Sequence, residues 1–191
     1  MNEALRRIVA ILTELGLPFF AAGSVASSIH GLPRFTRDVD LVVAITPDAV
    51  DRLASRAAGE FYMDPEYAAS AVSSARSFNL IHLATASKID IFPLEHTEFQ
   101  ASELARSTAA SWTIPGHEPI ELPVASPEDT VLFKLCSYEK GGRVSDHQWT
   151  DILGVASRNK LDWDYMRAWA PELGVSELLD RLYSEAGQLS S

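Results

Sequence analysis

Residues 23–43 read GSVASSIHGLPRFTRDVDLVV, and this stretch constrains the fold more tightly than any other. Asp38, Val39, Asp40 and Leu41 alternate with the period of a strand, so the two aspartates project to one side and the two apolar residues to the other. The strand therefore wants a dry partner on one side and a cation on the other, because two carboxylates held that close repel. Upstream, Gly23-Ser24 opens a short helix, SVASSIH, which Gly31 stops. Downstream, KIDIF repeats the geometry: Lys88, Asp90 and Phe92 share one side of a strand, Ile89 and Ile91 the other.

Those residue types suit one chemistry. Magnesium takes oxygen ligands, a few carboxylates together with waters and phosphate oxygens, which fits Asp38, Asp40 and Asp90. The backbone N–H groups at a helix start meet anionic phosphate with the positive end of the helix dipole. Gly23 allows close backbone approach there, and the Ser24 hydroxyl adds a hydrogen bond.

The rest of the chain reads as helices and strands in mixed order. Leu5, Ile8, Val9, Leu12 and Leu15 recur at helical spacing and Gly16 ends that helix. LPFFAAG is a short buried strand, and Thr46-Pro47 starts a helix with Val50, Leu53, Ala54 and Ala57 inward. Asp64-Pro65 starts another short helix or turn. FNLIHLAT and SKIDIFPL are strands, residues 98 to 107 a helix, and SWTI with PIELPVA a hairpin across PGHE. From Ser126 the pattern is helical, with Ser126, Pro127 and Asp129 as a capping box and Ser145 capping the next helix. Two shorter helices follow, near 163 to 170 and 176 to 186. The predicted class is α+β: a mixed β-sheet with flanking helices over residues 1–125, then a C-terminal helical region over 126–191.

Composition removes several functions. The chain has 191 residues and a formal net charge of −10, which argues against an extended nucleic-acid-binding surface, since phosphate neutralisation needs clustered Lys and Arg. The one cysteine, Cys136, excludes an internal disulfide framework and fits a buried, inert thiol. No apolar run approaches a membrane span, and the N-terminus has the helical pattern and acidic residues of a folded segment rather than a signal peptide. A cytoplasmic protein is expected.

With its Gly-Ser turn, short helix and hydrophobic-Asp-x-Asp, the segment at 23–43 resembles the first signature of the polymerase-β-like nucleotidyltransferase superfamily, and KIDIF resembles its third-carboxylate strand. The Arg-x-Thr-x-Asp-x-Asp spacing of Arg34, Thr36, Asp38 and Asp40 is similar to the minimal bacterial branch that includes AbiEii-type toxin nucleotidyltransferases, as is SPEDTVLFKL…GGRVSDHQWTDIL. The pieces cover most of residues 20 to 155. The resemblance implies a magnesium-dependent nucleotidyltransferase that moves a nucleoside monophosphate from a triphosphate such as ATP to a hydroxyl of tRNA, protein or a small molecule. A toxin–antitoxin role, with an antitoxin partner, goes with that branch. Asp38, Asp40 and Asp90 would hold Mg2+, with Asp90 as ligand or general base. Gly23, Ser24, Arg34 and Thr36 would bind the nucleotide, and Lys134 would be a catalytic point charge on phosphate oxygens. The alternative is a non-catalytic binding or interaction module of the same fold.

Several residues have plainer readings. Lys134 also fits a lysine snorkelling from an amphipathic helix. Asp151 could hold Lys134 or Arg143, or be solvated, and Asp146 follows a helix cap. His82 could face the site beside Asp90 or be a satisfied core histidine. Lys88 points along the same face as Asp90 and could enter the site as its ion-pair partner, attenuating the enzyme until substrate releases it.

Overall fold

Local chemistry marks most element ends. The computed structural model describes residues 1–33, 38–113 and 116–189. The first helix, α1 (Asn2–Glu14), buries Ala4, Leu5, Ile8, Ile11 and Leu12. The stripe runs through Ile11, and Val9 and Leu15 are only half-buried at its margins. Gly16 N–H bonds the Thr13 carbonyl and Leu17 N–H bonds the Leu12 carbonyl, the paired bonds of a Schellman ending. There follow β1 (Phe19–Ala21), α2 (Gly23–His30), β2 (Asp38–Val43), α3 (Pro47–Ala57), β3 (Phe61–Tyr62), α4 (Pro65–Ser73), β4 (Phe78–His82), β5 (Lys88–Pro93), α5 (Glu98–Arg106), β6 (Thr108–Trp112) and β7 (Ile120–Val124). The chain ends with α6 (Pro127–Lys140), α7 (Asp146–Arg158), α8 (Trp163–Leu173) and α9 (Ser176–Leu189).

Among the described residues, seven strands form one mixed sheet in the order β3-β4-β5-β2-β1-β7-β6. β2 runs parallel to β5 and β1 parallel to β7, and the other pairs are antiparallel. The expected hairpin is β6–β7, with Trp112 opposite Ile120. β3 lies outside the sequence-based element order, because two residues carry no readable alternation. α9 also runs past its expected end at 186.

Two compact units emerge. Met1–Ala21 with Thr36–Val124 carries the sheet, α1, α3, α4 and α5, and Ala22–Phe35 with Ala125–Ser191 carries the remaining helices. α2 thus lies in the helical unit: its buried Val25 and Ala26 belong to a short helix that packs on α6 and α7. In the sheet unit, Val39, Leu41, Val43, Ile89, Ile91, Leu80 and Phe78 are all buried and share one face by register. That dry face accounts for the strict alternation of the acidic strands. Among the described residues, no helix is long and apolar enough to cross a membrane.

Candidate active site

In the sheet unit, the register of β2 against β5 sets Asp40 directly beside Asp90 and Asp38 directly beside Lys88. Adjacent strands lie about 4.8 Å apart and residues two apart on one strand about 6.6 Å, so these four form a small rectangle on one face. Their opposite-facing neighbours Val39, Leu41 and Ile89 are fully buried, which fixes the direction of the polar side chains. Asp38 is exposed; Asp40, Lys88 and Asp90 are half-buried. Val42 and Phe92 continue the same face, with Val42 buried, so the acids stand at the edge of a dry floor.

A cation already stands among them. Lys88 Nζ lies 2.8 Å from Asp90 Oδ2. That hydrogen bond holds the Lys88 ammonium above the ordinary lysine range; partial burial opposes it, and the charges of Asp90, Asp38 and Asp40 add to the rise. Among the described residues, no three His, Cys, Asp or Glu side chains are gathered closely enough to hold a metal ion. The donor chemistry nonetheless fits magnesium, with carboxylate oxygens from two adjacent strands on one face.

Sequence reasoning missed the other occupants of this face. Pairing of β4 with β5 places Asn79 beside Asp90 and Ile81 beside Lys88, and pairing of β3 with β4 places Tyr62 beside Ile81. Asn79 and Tyr62 are exposed. The alternation in FNLIH was the available signal, but only the register assigns Asn79 rather than His82 to the acidic side. His82 faces the opposite way: it is 3% exposed, hydrogen-bonds Thr85 Oγ1 through Nδ1 at 2.9 Å, and lies 5.0 Å from the Phe61 ring. It is a satisfied core histidine.

The helical unit holds Gly23, Ser24 and Lys134. Gly23 is the first residue of α2 with φ +53°, a conformation that suits glycine and is strained for other residues. Ser24 is half-buried, and its carbonyl accepts hydrogen bonds from Ser27 Oγ and Ser28 Oγ. Lys134, on α6, is buried and donates to Asp151 Oδ2 on α7 at 2.9 Å. The snorkelling geometry is therefore not adopted, and Asp151 is a buried partner rather than a solvated acid. Arg143 instead pairs with Glu139 and Glu177. Asp146 is exposed in the first turn of α7. Arg34 and Thr36 lie outside the described residues.

Of the tryptophans of this unit, Trp149 is packed into the interior, and Trp163 and Trp169 are half-buried. Trp149 is buried, donates through Nε1 to Glu185 Oε2 at 2.8 Å, and has the Arg181 guanidinium 3.9 Å from its ring centroid. Asp129 closes the cap of α6, accepting from Ser126 Oγ at 2.6 Å and from the Tyr165 hydroxyl at 2.7 Å.

No protein-family model and no curated protein sequence matches this chain. Solved structures do. The lincosamide antibiotic adenylyltransferase LnuA, lincomycin-bound, is similar at 12% identity and TM-score 0.50, over 83% of this chain and 98% of that one. An antigenic nucleotidyltransferase-like protein from Paracoccidioides brasiliensis is similar at 16% identity and TM-score 0.52, over 94% of this chain and 90% of that one. A seven-stranded mixed sheet with flanking helices, matched across most of the chain, has the nucleotidyltransferase fold.

Proposed function

We propose that the chain is a nucleotidyltransferase, moving a nucleoside monophosphate from a triphosphate to a hydroxyl acceptor with pyrophosphate as leaving group. The observation that carries this reading is the register that brings Asp38, Asp40 and Asp90 to one face of adjacent parallel strands, in a sheet of this fold. A scaffold has no physical need for three carboxylates on one polar face.

The roles follow from chemistry. Asp38, Asp40 and Asp90 would hold magnesium, which when bound neutralises charge on the phosphate oxygens and on the attacking and leaving oxygens. Asp90 would complete the site as a ligand or as the general base that receives the acceptor's proton. The Gly23 backbone and Ser24 hydroxyl would hold the triphosphate at a helix start. Arg34 and Thr36 are proposed as further nucleotide contacts from their spacing to Asp38. Lys134 would act on phosphate only by exchanging Asp151 for it, so we assign it first to holding α6 against α7.

A small-molecule hydroxyl is the favoured acceptor. LnuA, most of whose length this chain matches, is an adenylyltransferase of an antibiotic, and a net charge of −10 disfavours a polyanion such as tRNA. ATP is the first donor to try. The toxin reading, with tRNA or protein as acceptor and an antitoxin partner, rests on the Arg34-to-Asp40 spacing and on the likeness of SPEDTVLFKL…GGRVSDHQWTDIL to the same branch. A cytoplasmic location goes with this chemistry.

The experiment offers each labelled triphosphate, with magnesium, to a panel of antibiotics, bulk tRNA and lysate protein. Label should pass to a small molecule, and Asp38→Ala and Asp40→Ala should lower transfer on the order of a hundredfold or more, as for loss of a group acting in the transition state. Label on tRNA or protein instead would favour the toxin reading. No transfer to any acceptor, or full transfer by both variants, would defeat the proposal.

A further inference from the structure

We propose that Lys88 is the built-in counter-cation of the acidic face, so that a divalent ion loads by displacing its ammonium from Asp90 and does so together with the triphosphate. This rests on the nucleotidyl-transfer reading and adds the regulation of its metal site.

Three observations converge. Lys88 and Asp90 are two apart on β5, a spacing that directs both side chains to one face, and the ammonium lies 2.8 Å from Asp90 Oδ2. The parallel register puts Asp38 beside Lys88 and Asp40 beside Asp90, so the ion pair shares its face with two further carboxylates. The pair is also partly withdrawn from water, with the Asp90 side chain 18% exposed and that of Lys88 42%. At such depth charges are screened less than at the open surface.

Loading is then an exchange of cations. A divalent ion that takes Asp90 as a ligand meets a positive charge already bound to that carboxylate, and the two repel over a few ångströms. The ammonium must swing away for Asp90 to turn toward Asp38 and Asp40. Metal alone gives the released ammonium no new partner. A triphosphate brings its own anionic oxygens, which ligate the ion and can receive the ammonium, so metal and nucleotide are expected to load cooperatively.

The test is Mn2+ binding followed by electron paramagnetic resonance, with and without ATP, and needs no acceptor or turnover. Wild type, Lys88→Met and Lys88→Arg are compared, with thermal melting to establish that each is folded. Without ATP, Lys88→Met should bind Mn2+ on the order of tenfold more tightly than wild type, because one repelling charge is gone. Lys88→Arg should stay near wild type, and ATP should strengthen Mn2+ binding less in Lys88→Met than in wild type. Equal or weaker binding by Lys88→Met overturns the inference and leaves the transferase reading standing. Absence of Mn2+ binding in every protein, even with ATP, overturns both. If Lys88→Met is unfolded, Lys88→Gln carries the same expectation and the same reversal.

Discussion

Lys134 is 6% exposed and its ammonium meets Asp151, itself 9% exposed, so the pair is largely withdrawn from water. Breaking a buried pair from one side leaves an uncompensated charge, a loss of about 3–5 kcal/mol, whereas replacing both partners with apolar groups is often neutral. Lys134→Met should therefore lower stability to urea by about that amount, and Lys134→Met with Asp151→Leu should recover most of it. A double variant as unstable as the single one would contradict the pairing. Glu60 supplies a pH-dependent counterpart. Its carboxylate pairs with Arg7 of α1 and lies 3.7 Å from Arg56 of α3. The Arg7 hydrogen bond holds the Glu60 carboxyl below the ordinary carboxylate range, against a smaller opposing effect of burial. A depressed acid contributes stability above its unfolded pKa of about 4.3 and loses it as pH falls through the folded value. The melting-temperature difference between wild type and Glu60→Gln should be level at neutral pH and shrink steadily in acid. A difference that grew on acidification would contradict this sign.

At the scale of elements, the decisive geometry is how strands and helices meet. The alternation in DVDLVV and KIDIF made β2 and β5 readable, since each has one dry and one polar side. Their pairing was not readable, because no local signal says which strand lies beside which. That register is what places Asp40 by Asp90, Asp38 by Lys88 and Asn79 by Asp90, and turns His82 inward. Lys88 beside Asp90 was legible because it needs only a spacing of two. The packing of α2 on α6 and α7 was hidden for the same reason as the register. It depends on a close approach: a Cβ on Gly31 would lie 2.8 Å from the Ser27 carbonyl oxygen and 3.0 Å from Val155 N. Neither atom belongs to a flexible side chain, so Gly31→Ala should destabilise the helical unit by about 1–3 kcal/mol, as overpacking does. Gly154→Ala meets the movable Leu32 side chain at 3.4 Å and should cost less. Chemical denaturation of the two variants checks the order, and an equal or reversed cost would contradict it.

For the whole molecule, the resemblance read from three short motifs and the fold reached through seven strands agree on the nucleotidyltransferase architecture. The neighbours of the acidic strands left little trace in the sequence, because Asn79, Ile81 and Tyr62 come to that face only through strand pairing. The residues proposed for the donor side include three aspartates on regular strands, whose alternation is legible without knowledge of the pairing. On the proposed reading, the acidic face serves transfer of a nucleotidyl group rather than a phosphoryl group. ATP labelled at the α-phosphate or at the γ-phosphate, supplied with magnesium and acceptor, separates the two. Acceptor should become labelled from α-labelled ATP only, with the γ-label leaving in pyrophosphate, and Asp40→Ala should abolish the labelling. Labelling of acceptor from the γ-position, or α-labelling undiminished in Asp40→Ala, would contradict that reading.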